Sequence, residues 1–214
     1  SLIANNSEQF ISFEIGNFRF IDSCKFLGAS LDTLVKNLSK SGTEKFIHTR
    51  NEFADSPHAF RKGVYPYEYM DGPHRFEETQ LPTREAFCSE LNDDELSIAD
   101  YEMAKQAWVD FGCKTMHNYH DIYLKLDVLL LTDVFENFRK TAMKTYKLDP
   151  ANYYTLPGYA WDAMLKETGV KLELFTDESM YLFVENALRG GVAMICHRHA
   201  HANNGTDKDE NLPT

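Results

Sequence analysis

The tract His120-Asp121-Ile122-Tyr123-Leu124-Lys125-Leu126-Asp127-Val128-Leu129-Leu130-Leu131 constrains this chain more than any other, because it sets a carboxylate among apolar neighbours. Leu or Val occupies positions 124, 126, 128, 129, 130 and 131. A helix that is apolar on nearly every side belongs in a core. An ionised Asp127 buried there is costly unless it is paired or holds a metal. Tyr123 precedes Asp127 by four residues, so phenol and carboxylate project from one helical face. That pair suits metal-dependent phosphodiester cleavage, with the Asp holding a divalent cation and the phenol positioning a water or the scissile phosphate. The spacing is also common in ordinary helices, where such an Asp caps a backbone segment or pairs with a buried Arg.

A chain of 214 residues forms one or two domains, and 43% apolar residues suffice for a proper core. No run is long enough to span a membrane, and Ser1-Leu2-Ile3-Ala4-Asn5-Asn6 does not read as a signal peptide. The absence of an initial Met leads us to expect a fragment of something longer. The four cysteines, Cys24, Cys88, Cys113 and Cys196, are widely spaced, which suits a reduced intracellular compartment. A net charge of −11 argues against a large basic nucleic-acid surface. Much of the acidity lies between Glu77 and Asp110 and reads as a solvated face.

Ile11, Phe13 and Ile15 alternate with polar residues, Gly16-Asn17 supplies a tight turn, and Phe18 and Phe20 return, which predicts a hairpin over 10–21. Ser30 reads as the N-cap of a helix through about Leu38. Residues 39–82 are irregular but rich in aromatics, including Phe46, Phe53, Phe60, Tyr65, Tyr67 and Tyr69. They suit core packing, or stacking on single-stranded bases. Ser97 with Asp100 resembles a capping box before a helix over Ile98–Phe111, ended by Gly112. Asn118 is expected to cap the Asp127 helix, which runs to about Tyr146. Pro157 opens a helix through Glu167 that Gly169 stops, and Thr176 caps another over Asp177–Leu188. Gly190-Gly191 would close it, with a strand over Val192–Ile195 and a disordered tail over 203–214.

The tract from Tyr123 to Asp127, continued by Val128-Leu129-Leu130-Leu131-Thr132-Asp133-Val134-Phe135, resembles the third exonuclease motif of family B DNA polymerases. The chain looks most like the protein-primed branch carried by Maverick/Polinton-type elements and related viruses. Other stretches agree in order: Phe20-Ile21-Asp22-Ser23 with Ser30-Leu31-Asp32-Thr33-Leu34, then Lys62-Gly63-Val64-Tyr65-Pro66-Tyr67-Glu68-Tyr69-Met70, Phe111-Gly112-Cys113-Lys114-Thr115, Leu148-Asp149-Pro150, Pro157-Gly158 and Arg189-Gly190-Gly191. No single block is diagnostic, but the ordered set covers nearly the whole chain.

This resemblance implies an α/β fold: part of a ribonuclease H-like 3′–5′ exonuclease domain, helix-rich, with the short N-terminal hairpin. Residues 1–188 would be the C-terminal part of that domain, and 189–202 a linker toward a polymerase domain. It implies Tyr123 and Asp127 as catalytic residues, Asp127 as a ligand of Mg²⁺ or Mn²⁺, and Arg189, Gly190 and Gly191 as contacts to a DNA phosphate. Leu188 stands where the family has Tyr. The first two exonuclease motifs and the polymerase carboxylates are not found, so the chain alone is expected to be inactive and, lacking strands of its sheet, marginally stable. Asp22 matches the segment after the second motif and reads as a cap instead. The implied partners are a DNA primer-template, dNTPs and a terminal protein primer, with no membrane, at an intracellular site in the nucleus or a viral replication site.

Two other readings stay open. One is a degenerate, non-catalytic interaction module derived from a mobile element. The other is a small metal-binding module on Cys196-His197-Arg198-His199-Ala200-His201, where a strand would put three imidazoles on one face.

Overall fold

The computed structural model describes residues 2–4, 10–54, 56–88 and 96–188. They fall into two units, Ser1–Val170 and Lys171–Thr214. The first holds strands β1 (Leu2–Ala4), β2 (Phe10–Ile15) and β3 (Phe18–Ile21), and helices α1 (Leu31–Ser39), α2 (Ile47–Phe53), α3 (Ile98–Asp110), α4 (Met116–Tyr146) and α5 (Leu156–Thr168), joined by short 3₁₀ turns. The second holds α6 (Glu178–Ala187).

The expected hairpin is present as β2 and β3, turning at Gly16, whose φ of 60° a side chain would strain. Phe13 pairs with Phe20 and their rings stack at 4.6 Å. The sheet is larger than expected, because β1 adds to β2 and gives an antiparallel order β1-β2-β3. A helix-rich chain with a small antiparallel sheet is consistent with the α/β class.

Helix α4 organises the first unit. Its 31 residues span about 46 Å at 1.5 Å per residue. Met116, Tyr119, Tyr123, Leu126, Leu130 and Val134 recur every three or four residues and form its buried stripe. Val35 and Leu38 of α1, Phe46 and Ala59 pack against Leu126, Leu130 and Val134. Burying a side chain such as Phe46 or Leu130 completely is worth roughly 1.5–3 kcal/mol. A second cluster joins Cys113, Met116 and Tyr119 to Tyr65 and Trp108. A third joins Ala142 to Tyr159 and Ala163 of α5, where the Arg139 guanidinium also grips the Asp149 carboxylate.

This stripe corrects the expectation that α4 is apolar all round and buries Asp127. Leu124 and Val128 are more than half exposed, and the Asp127 side chain keeps 25% of its surface. The buried carboxylate of α4 is Asp133, at 2% exposure. Helix α2, within the stretch expected to be irregular, depends on it. Phe46 offers α2 no side-chain cap. Asp133 supplies one across the core, accepting bonds from His48 N at 2.9 Å, Thr49 N at 2.9 Å and the Thr49 hydroxyl at 2.8 Å. Three donors on one carboxylate offset its desolvation, and the charge meets the positive end of the helix.

The helix ends adjust the expected caps. Ser97 caps α3 as expected, accepting from Asp100 N while donating to the Asp100 carboxylate. Thr115, rather than Asn118, caps α4. Asn118 sits one turn in, and its side chain reaches back to accept from Lys114 N at 3.2 Å. Gly169 ends α5 at φ 65°. In the second unit the cap of α6 is Asp177, not Thr176, because the Asp177 carboxylate accepts from Ser179 N at 2.8 Å. Asp22 caps the 3₁₀ turn Ser23–Lys25 through Cys24 N, as expected. Of the acidic stretch, Glu77, Glu85, Glu102 and Asp110 are exposed as expected, and Asp100 and Asp110 also pair with Arg61 and His58. Among the described residues, no helix is long and apolar enough to cross a membrane.

Candidate functional site around Tyr123 and Asp127

Tyr123 and Asp127 share one face of α4, one turn apart, as their spacing requires. The loop that follows Phe60 lies against that face and brings in Lys62, Gly63, Tyr65 and Tyr67. Tyr119 ties this loop down, its hydroxyl donating to Val64 O at 2.7 Å.

Lys62 is the residue that sequence reasoning missed as a functional group, although its block was recognised. Its ammonium lies 3.4 Å from Asp127 Oδ2 and donates to the Tyr123 phenol at 2.8 Å. It also stands 5.3 Å from the centre of the Tyr123 ring, within range of a cation–π attraction. The Tyr67 and Tyr123 hydroxyls share a hydrogen bond of 2.7 Å. Gly63 allows this close approach, since a Cβ there would stand 3.3 Å from Cδ2 of the Tyr123 ring.

The Tyr123 ring is buried, and Tyr65 stacks on it with centroids 4.9 Å apart and planes 26° from parallel. The Tyr65 hydroxyl is itself bonded to His120 Nδ1 at 2.8 Å. Tyr67, by contrast, is 66% exposed. Of the aromatics in the 39–82 segment, Phe46 thus serves the core, while Tyr65 and Tyr67 gather at this site.

Burial raises the Tyr123 phenol well above its ordinary value, reinforced by the Tyr67 hydrogen bond and the Asp127 charge. It therefore stays protonated at neutral pH, suited to hydrogen bonding rather than to service as a base.

Asp127 offers one oxygen that suits a divalent cation. Asp127 Oδ1 is buried with no hydrogen-bond partner. A hard cation takes such an oxygen, and the chemistry suits Mg²⁺ and Mn²⁺ alike. Among the described residues no three His, Cys, Asp or Glu side chains converge. Asp127 therefore fits as one ligand oxygen, and the remaining ligands must come from other groups. The expected DNA contacts Arg189, Gly190 and Gly191, and the cluster Cys196, His197, His199 and His201, lie outside the described residues.

No curated protein and no solved structure matches the chain. The family model for type B DNA polymerases, organellar and viral, matches residues 3–205. A match over nearly the whole length establishes the family, and the chain belongs to the organellar and viral type B DNA polymerases.

Proposed function

We propose that this chain is part of the 3′–5′ proofreading exonuclease of a DNA-directed DNA polymerase, built on a ribonuclease H-like fold. The observation that carries this reading is the convergence of Lys62, Tyr123 and Asp127, in a member of this polymerase family. The reaction is hydrolysis of the terminal phosphodiester. Water attacks phosphorus, the bond to the 3′ oxygen of the penultimate nucleotide breaks, and a nucleoside 5′-monophosphate leaves. Asp127 would hold Mg²⁺ or Mn²⁺ through its free oxygen, and the bound ion supplies Lewis acidity toward the phosphate and an acidified water. Tyr123, kept protonated, orients the water or the scissile phosphate by hydrogen bonding. Lys62 holds positive charge beside Asp127 and near the phenol, where phosphoryl charge develops.

In the complete polymerase the partners are a primer-template and dNTPs, with a terminal protein as the primer of synthesis. Arg189, Gly190 and Gly191 would approach a DNA phosphate through backbone N–H groups and the guanidinium. The protein would work in the nucleus or at a viral replication site. The test is Asp127→Ala in the complete polymerase. Exonuclease activity on single-stranded DNA is expected to vanish while primer extension persists, and retained proofreading would refute the assignment.

A further inference from the structure

Tyr123 has two kinds of neighbour. Lys62 and Tyr67 bond its hydroxyl. Tyr65 touches its ring face and has no bond to the reacting side of the site. The Tyr65 hydroxyl points instead to His120 Nδ1 at 2.8 Å. His120 lies three residues before Tyr123 on α4, so it moves with the helix that carries the phenol. The imidazole is held in turn by Phe76, which meets it edge-on at 5.1 Å and 72°. Tyr65 is also packed against Tyr119, nearly parallel at 6.4 Å, and Tyr67, near-perpendicular at 5.2 Å.

We propose that the His120–Tyr65 pair sets the plane of the Tyr123 ring, which makes both of them positioning residues for the hydrolytic step. The inference rests on the exonuclease reading of the same site. The Tyr65 hydroxyl adds an anchor to α4 that a Phe filling the same volume would lack. A phenol has freedom to swing about its Cα–Cβ bond and to flip about its Cβ–Cγ bond. Gly63 leaves room for the ring edge at Cδ2, and Tyr65 covers the face. The hydroxyl oxygen lies on the Cβ–Cγ axis, so the ring plane sets the direction in which its in-plane O–H and lone pair face Lys62 and Tyr67. A misplacement of about 1 Å at such a group can cost on the order of 100-fold in rate.

The test uses the complete polymerase and four substitutions: Tyr65→Phe, His120→Ala, His120→Gln and His120→Asn. The Asn amide can occupy the place of Nδ1, whereas the Gln amide reaches the place of Nε2. Tyr65→Phe, His120→Ala and His120→Gln are expected to lower kcat for single-stranded DNA hydrolysis about tenfold, with KM changed less than about twofold. His120→Asn should restore kcat, but not when combined with Tyr65→Phe. A ring-labelled Tyr123 should show faster flipping by NMR line shape in His120→Ala than in the parent.

Unchanged kcat and unchanged line shape in Tyr65→Phe and His120→Ala would overturn the proposal. So would a loss in His120→Ala that tracks the thermal midpoint and that Asn does not rescue. Asp127→Ala separates the two readings. If that variant keeps exonuclease activity, the exonuclease reading fails, while the ring-flip comparison still decides whether the pair fixes Tyr123.

Discussion

Lys62 Nζ stands 3.4 Å from Asp127 Oδ2, joining an irregular loop to the middle of the 31-residue helix α4. The same ammonium donates to Tyr123 at 2.8 Å, so one cation serves both residues of the helical pair. Removing it takes the ion pair from a half-buried carboxylate whose Oδ1 already has no hydrogen-bond partner.

Lys62→Met should therefore reduce exonuclease turnover by on the order of 10²-fold, the usual cost of losing one aimed donor. Lys62→Arg should recover only part of it, because a planar fork does not replace a compact ammonium. Single-turnover hydrolysis of a single-stranded oligonucleotide measures both. Equal activity in parent and Lys62→Met would remove Lys62 from the site.

Asp133→Ala should destabilise the first unit by about 2–4 kcal/mol, because three donors lose their acceptor and α2 loses its side-chain cap. Asp133→Asn should fall in between, since its amide keeps one acceptor oxygen. Chemical denaturation gives the free energies, and hydrogen exchange at the His48 and Thr49 amides should show α2 fraying first.

Gly63→Ala places a methyl group 3.3 Å from the Tyr123 ring, which Tyr65 and two hydrogen bonds prevent from yielding. Stability should fall by only about 1 kcal/mol, while exonuclease turnover falls about tenfold through the displaced phenol. A stability loss without a rate loss would show that the ring's position is not critical.

Acid should weaken the junction between α4 and α5. The Arg139 guanidinium, helped by Ala151 N–H, holds the Asp149 carboxyl below its ordinary value near 3.8. A depressed folded value means this stabilisation is present at neutral pH. It begins to be lost as pH falls below the ordinary carboxylate range, and it is gone once pH passes below the depressed value. Asp149→Asn should lower the thermal midpoint at pH 7 and flatten its dependence on pH between about 5 and 2. An unchanged slope in that variant would count against the pair.

Local physics made much of this protein readable from its residues alone. The 3.6-residue period placed α1, α3, α4 and α5 close to their observed limits, and alternation around Gly16-Asn17 placed the hairpin. Tyr123 and Asp127 had to share a face once α4 was a helix. The order of short blocks was enough to suggest the polymerase family. Tertiary structure decided what no local period encodes. The buried carboxylate is Asp133 rather than Asp127, because only the packing of α1 and α2 chooses which side of an apolar helix is covered. Helix α2 exists because a cap arrives from α4, far away in the chain. Lys62 becomes a site residue only when its loop is laid across Tyr123, a contact between distant segments that no local period encodes.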